Sequence, residues 1–382
     1  MKRLTVLGAT GSIGCSTADV MLRHPDKFSA FALVGHQNTE KMLELAQALQ
    51  PTWVVMTDAD AASQLAGKLP AGVQLEAGMD AAIALSTAAE TDMVMAAMVG
   101  SAGLPATLAA VKAGKRVGLA NKECLVTAGH LFMQAAADSG AEVVPVDSEH
   151  AAVHQCLQGH DHRSVTRVIL TASGGPFRDR DPATLHTVTP AEAIAHPNWD
   201  MGAKISIDSA TMMNKALELI EARWLFDLKP EQLSAIIHPQ SIIHAMVEYR
   251  DGSVLAQLAE PDMRMPIAYA MQAEPRIETG ISWLDLAQTG SLHFEAVDFD
   301  RFPAMRLVQD VLSGEDSLAI AFNAVNEVAN AAFRQQDIGF MDIVNTVEKV
   351  LGQVENIPVG TLDEVWLHDA HARKLAQEVI GT

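Results

Sequence analysis

A short apolar run at residues 4–7 leads straight into Gly8-Ala9-Thr10-Gly11-Ser12-Ile13-Gly14, and a helical pattern then continues through Met21 and Leu22. A strand that ends in a glycine turn and enters a helix is the opening of a dinucleotide-binding α/β unit. The glycines let backbone approach a pyrophosphate, which rests on the helix N-terminus. The spacing is G-x-x-G-x-x-G rather than G-x-G-x-x-G, so the turn draws its weight from standing directly after a first strand. Strand-like runs at Trp53–Met56 and at residues 31–34, 93–98 and 117–120 alternate with helical segments. That alternation predicts a doubly wound, mostly parallel sheet.

About twenty residues past the glycines, an NAD-binding chain of this type carries an acid that meets the ribose. Here the positions read Gly35, His36, Gln37 and Asn38. With no carboxylate on that loop, NADPH is the expected cofactor, with His36 or Lys41 available to its extra phosphate. Ligands of open α/β sheets sit beyond the carboxyl ends of the strands. Asn121, Lys122 and Glu123, just after the run 117–120, therefore lie where cofactor and substrate meet, with Lys122 able to polarise a carbonyl.

The densest polar block is HPNWDMGAKISIDSATMMNKALELIEARW, residues 196–224. It reads as a short strand followed by a helix from Ser209, with Ser209 and Thr211 offering hydroxyls and amides at its N-terminal turn and Lys215 adding a full charge. Such a turn suits a phosphate. Asn214 and Glu218 share one helix face. A carboxylate so near a phosphate calls for a divalent cation. Further donors stand upstream, where Val143, Val144 and Val146 read as a strand ending in Asp147, Ser148 and Glu149, with residues i and i+2 pointing the same way. Asp147, Glu149 and Glu218 form an oxygen-only set, which favours Mg²⁺ or Mn²⁺, with Co²⁺ also admissible, over zinc. The alternative is that Asp147 and Glu149 end a strand and cap a helix starting near His150.

Residues 165–171 read as a strand entering Ala172-Ser173-Gly174-Gly175-Pro176-Phe177, a turn whose Ser173 offers a second phosphate contact. Thr189-Pro190-Ala191-Glu192 is a capping box that delivers the chain to His196. Trp199, between Pro197 and Gly202, sits in an irregular segment suited to a lid that excludes water. Strands follow at 234–237, 242–249 and 254–259, the last two joined by an Asp251-Gly252 hairpin turn, with His244 near the start of the second. From about Pro303 the pattern is helical to the end.

The expected architecture is α/β, with an N-terminal doubly wound Rossmann-like domain, a central α/β catalytic domain and a C-terminal all-helical domain. The expected divisions are 1–146 for NADPH binding, 147–273 for catalysis with the metal site and lid loop, 274–302 as a linker, and 303–382 as the helical domain. Composition narrows the partners. Lys and Arg total 27 against 47 Asp and Glu, a net charge of −20, which opposes binding to nucleic acid or anionic membranes. Three cysteines without metal spacing fit a reducing, cytoplasmic setting. The uncharged stretch 93–111 is broken by Gly100, Gly103 and Pro105, and the N-terminus is a poor signal sequence, so neither a membrane span nor export is expected.

Taken together, GATGSIG, LANKE, VDSEH, TASGGPF, the 196–226 block, HPQSIIHAMVEYRDGSVLAQL and EPDMRMPIA resemble the 1-deoxy-D-xylulose 5-phosphate reductoisomerase family over nearly the whole chain. The resemblance implies an NADPH- and divalent-metal-dependent enzyme that makes 2-C-methyl-D-erythritol 4-phosphate, a step of non-mevalonate isoprenoid synthesis, and acts as a homodimer on a small phosphosugar. It implies metal ligation by Asp147, Glu149 and Glu218, and substrate contacts from Lys122, Ser148, Glu149, Trp199 and Glu218. The phosphate end would meet Ser173, His196, Ser209, Asn214 and Lys215, with Met201 near the substrate and Lys122, Glu149 and His196 in catalytic roles. Thr10, Gly11, Ser12, Ile13, Gly35, Gln37, Asn38, Asn121, Glu123, Gly202 and Met263 would face the cofactor, although Gln37 stands where relatives are expected to carry lysine. Competing readings are another NADP-dependent phosphosugar or semialdehyde dehydrogenase, which would turn over without a metal, and a dinucleotide-sensing regulator, which would consume no NADPH.

Overall fold

The computed structural model describes residues 1–196, 199 and 201–381. Its first sheet has seven strands: β1 (Lys2–Leu7), β2 (Phe28–Gly35), β3 (Trp53–Met56), β4 (Gln74–Ala77), β5 (Met93–Ala96), β6 (Arg116–Leu119) and β7 (Val143–Pro145). Their order is β4-β3-β2-β1-β5-β6-β7, and every pairing is parallel. The expected doubly wound sheet is therefore present, with its order reversing between β1 and β5, which is where such sheets open a crevice for a ligand. β5 is apolar and buried throughout, and β6 is so after Arg116, as a sheet covered on both faces requires. β4 was not anticipated. It is an edge strand whose exposed Gln74 and Glu76 break any apolar run.

The glycine turn follows β1, and the helix Ser12–Arg23 starts directly behind it. Gly8 has φ +78°, and a Cβ there would strike the Ala97 carbonyl just past β5, so no other residue fits.

A second sheet has the order β11-β10-β8-β9, from β8 (Val165–Ala172), β9 (Leu233–Ile237), β10 (Ile243–Tyr249) and β11 (Val254–Leu258). β10 runs antiparallel to both β8 and β11, and Gly252 at φ +84° makes the expected hairpin turn. Helices Ala304–Ser313, Asp316–Gln335, Phe340–Leu351 and Leu362–Ile380 form the expected helical C-terminal region. Leu307, Val308, Phe322, Val344 and Val347 bury their apolar faces in one core with Leu217, Ile220 and Val247. Among the described residues, no helix is long and apolar enough to cross a membrane.

Two compact units result. The first holds residues 1–124, 132–151 and 262–282, and the second holds 125–131, 152–261 and 283–382. The boundaries expected from sequence are sequential, whereas these units exchange segments of chain. The helix Arg264–Met271, for example, packs Ile267 and Tyr269 into the first unit's core.

Two local expectations are corrected. The strand at Val143–Pro145 stops before Asp147, and a helix, Ser148–Leu157, begins at once. Ser148 and Glu149 thus lie on a first helical turn, and alternation along a strand does not orient them. The segment before Ser209 is also a helix, Ala203–Ala210, rather than a strand. Ser209 sits near the C-terminal end of that helix, so the macrodipole argument does not apply to it. Met212, at φ +60°, turns the chain into a second helix, Met213–Leu225. The Thr211 hydroxyl joins the two by accepting from the Met213 amide while donating back to the first helix.

Candidate active site

In the first unit, parallel pairing of β6 with β7 sets Leu119 opposite Pro145, so the chain leaves both strands at one level. Lys122 and Asp147, just beyond those ends, form a 2.5 Å ion pair with little solvent access. Ser148 donates to Glu149 at 2.6 Å. The buried His150 brings a ring nitrogen within 4.8 Å of an Asp147 carboxylate oxygen. Sequence reasoning used His150 only to mark a helix start, although its separation of three residues from Asp147 spans about one helical turn.

Four segments of this unit carry the residues expected to face a dinucleotide. Thr10, Gly11, Ser12 and Ile13 are partly or fully exposed at the helix start after β1. Asn121 is buried, its amide nitrogen donates to the Gly100 carbonyl at 3.0 Å, and its Oδ1 has no partner among the described residues. Glu123 is buried beside it in sequence, and Met263 stands at the start of the helix Arg264–Met271. After β2, Gly35 is buried while His36, Gln37 and Asn38 are exposed. The expectation of a carboxylate-free ribose loop is incomplete. Asp58, from the loop after β3, accepts from Gln37 Nε2 at 3.1 Å. Lys41 is also committed, its ammonium lying 2.8 Å from both oxygens of Glu44.

In the second unit, Ser173 Oγ lies 2.9 Å from His196 Nε2 and accepts from the Gly175 amide at 3.1 Å. His196 Nδ1 accepts from the Trp199 backbone amide at 3.0 Å, so the neutral ring carries its proton on Nε2 and donates it to Ser173. Both lone-pair sites of the serine oxygen are then occupied by donors. Its own hydrogen remains to be given to an acceptor such as a phosphate oxygen. Burial lowers the His196 pKa, which keeps the ring neutral near pH 7.

Gly175, at φ +65°, packs against Ser209 O and Ala210 Cα so closely that a Cβ would lie 3.0 Å from each, which seats the Ser173 loop on the end of Ala203–Ala210. On the following helix, Asn214 Nδ2 donates to one Glu218 oxygen at 2.5 Å and the Lys215 ammonium pairs with the other. The predicted helical spacing of these three residues holds. Lys215 and Glu218 are almost wholly buried, an arrangement that persists only when the charges are paired. The Trp199 ring lies 6.3 Å from that of His244, and Gly202 caps Ala203–Ala210 without a side-chain bond. Pro197, which flanks the expected lid, lies outside the described residues.

Buried behind Ser209, Asp208 accepts from Asn326 at 3.0 Å and Asn330 at 2.9 Å and pairs with Lys204 at 2.9 Å. The sequence offered no sign of this network, because Asp208 and its two asparagines are more than a hundred residues apart.

Known families cover the chain. Family models for 1-deoxy-D-xylulose 5-phosphate reductoisomerase match residues 4–129, with its C-terminal domain models matching 143–226 and 258–375. A 1-deoxy-D-xylulose 5-phosphate reductoisomerase of Paraburkholderia xenovorans (strain LB400) is 52% identical over all of this chain and 96% of its own length.

This chain belongs to the 1-deoxy-D-xylulose 5-phosphate reductoisomerase family.

Solved reductoisomerases share its fold. One, in complex with NADPH, fosmidomycin and magnesium, superposes with a TM-score of 0.94 at 41% identity, covering 100% of this chain and 98% of its own. Another, from Zymomonas mobilis in complex with NADPH, gives 0.91 at 44% identity and covers 99% of each chain. Family membership makes the chain an enzyme of the oxidoreductase class.

Proposed function

We infer that this chain converts 1-deoxy-D-xylulose 5-phosphate into 2-C-methyl-D-erythritol 4-phosphate, using NADPH and a divalent cation, in the non-mevalonate isoprenoid pathway. The observation that carries the reading is a full-length family relationship in which the polar residues of the motifs remain paired with one another: Lys122 with Asp147, Lys215 with Glu218, and Ser173 with His196.

The residues fit both groups. Asp147, Glu149 and Glu218 supply carboxylate oxygens alone, as Mg²⁺ and Mn²⁺ prefer, and lysine ammonium groups already answer the charge of two of them. These three carboxylates would hold the cation. The turn at Thr10–Ile13 and the buried, unpartnered Asn121 Oδ1 fit a dinucleotide, with Gly35, Gln37, Asn38, Glu123, Gly202 and Met263 as its further neighbours. When bound, NADPH supplies hydride and the cation supplies Lewis acidity.

The chain's own groups do the rest. Lys122 and Ser148 orient the substrate's oxygens, with Glu149 beside them. Ser173 donates its hydroxyl hydrogen to the phosphate, and His196 holds that serine in place. Ser209, Asn214 and Lys215 complete the phosphate's surroundings, and Lys215 supplies the positive charge. Trp199 covers the substrate and excludes water, which protects a reactive carbonyl until it is reduced.

The same reading includes a homodimer in the cytoplasm. β11 is an edge strand, with Val254 and Leu255 half and about a third exposed, and an unprotected apolar edge invites a second copy. Cys15, Cys124 and Cys156 are free thiols, which suits a reducing compartment. Consumption of NADPH that requires both the phosphosugar and a divalent cation tests the catalytic reading, and light scattering tests the dimer.

A further inference from the structure

The loop after the second strand of a doubly wound sheet meets the adenosine ribose, where an acid selects NAD and a base accommodates the 2′-phosphate of NADP. In this chain the loop runs His36-Gln37-Asn38, ahead of the helix Thr39–Leu49, and carries neither lysine nor arginine. Its neighbour contributes the opposite charge. β2 and β3 pair with Gly35 opposite Met56, so the loop after β3 emerges alongside. There Asp58 accepts from Gln37 at 3.1 Å, and His36 Nδ1 lies 2.9 Å from Thr57 Oγ1. The Asn38 side chain is occupied in accepting from the Lys41 amide, and the Lys41 ammonium by Glu44. The Ala61 amide and Gln37 hold the Asp58 carboxyl below its usual range, so it is ionised at working pH.

We propose that the Gln37–Asp58 pair makes this ribose site a weak discriminator, so that the chain binds NADH within about tenfold of NADPH. A charge-assisted lysine–phosphate bond is worth on the order of a hundredfold in affinity, and it is missing here. The Asp58 carboxylate takes away a further factor of about five by facing a dianion across a solvated gap. Gln37 has its amide to offer a hydroxyl or a phosphate almost equally. This inference rests on the NADPH-dependent reading above and concerns only how strictly the phosphorylated form is chosen.

The test is direct titration of the substrate-free protein with NADPH and with NADH, followed by nicotinamide fluorescence, for the native chain, Gln37→Lys and Asp58→Asn. Asparagine keeps an oxygen to cap the helix Ala59–Leu65, as Asp58 does now by accepting from the Ala61 amide, so the fold is preserved. The native chain should show dissociation constants within about tenfold of each other. Asp58→Asn should tighten NADPH about fivefold and leave NADH unchanged, while Gln37→Lys should widen the preference by about a hundredfold. A native preference well beyond tenfold, or an unchanged ratio in Asp58→Asn, overturns the inference while leaving NADPH dependence intact. If neither nucleotide binds, the cofactor reading fails and this inference fails with it.

Discussion

The backbone amide of Trp199 donates to His196 Nδ1 at 3.0 Å, and this one bond determines which way the imidazole points its proton. The ring must donate from Nε2 to Ser173, and the serine must donate outward. Trp199 therefore sets the polarity of the His196–Ser173 pair through its backbone, independently of its ring.

Burial depresses the His196 pKa, and the Trp199 amide occupies Nδ1, the atom that would take a further proton, so the ring stays neutral when a phosphate binds. Substrate binding at about pH 7.5 should therefore take up no proton at His196. Calorimetry in buffers of different ionisation enthalpy checks this, and the native chain and His196→Asn should give the same proton uptake. Stability should depend on the same group. The unfolded chain protonates His196 first, so stability declines as pH falls through about 6.5 and levels off below the folded-state pKa.

Gly175→Ala places a methyl group 3.0 Å from Ser209 O in a left-handed backbone conformation. We expect a stability loss of about 1–3 kcal/mol and a KM increase of roughly tenfold, since the Ser173 loop must move off Ala203–Ala210. Thermal unfolding and steady-state kinetics check this, and NADPH affinity should not change.

Asp208→Ala leaves the Lys204 ammonium and two buried amides without their carboxylate. Breaking a buried pair in this way should cost about 3–5 kcal/mol, visible as a lowered unfolding midpoint. Because Asp208 adjoins Ser209, the surviving activity should show a raised KM with kcat much less affected.

Glu218→Gln removes one carboxylate of the expected metal set and the charge it sets against the buried Lys215 ammonium. Metal-dependent turnover should fall by at least about a hundredfold. NADPH titration should be unaffected, because Glu218 is not among the residues expected to face the dinucleotide. Unchanged turnover would remove Glu218 from the ligand set.

Local features were legible in the sequence. The glycine turn after β1, the Thr189–Glu192 capping box and the Asn214–Lys215–Glu218 spacing each depend on residues within one turn of chain, and each formed as read. Period-two reasoning failed at Ser148–Glu149 and at Ala203–Ala210, where short helices carry residues that also alternate. The buried Asp208, a poor choice for a helix interior, is tolerated because Asn326 and Asn330 reach it from a helix far along the chain. Asp58 escaped notice for a similar reason. It lies 21 residues beyond Gln37 and approaches it only because parallel pairing of β2 with β3 sets their two loops side by side.

The central claim is metal-dependent hydride transfer to a rearranged phosphosugar. Absorbance at 340 nm with NADPH and 1-deoxy-D-xylulose 5-phosphate should fall when Mg²⁺ or Mn²⁺ is present and stop when excess EDTA is added. Turnover that survives the chelator, or no turnover with either metal despite demonstrated NADPH binding, would contradict the account.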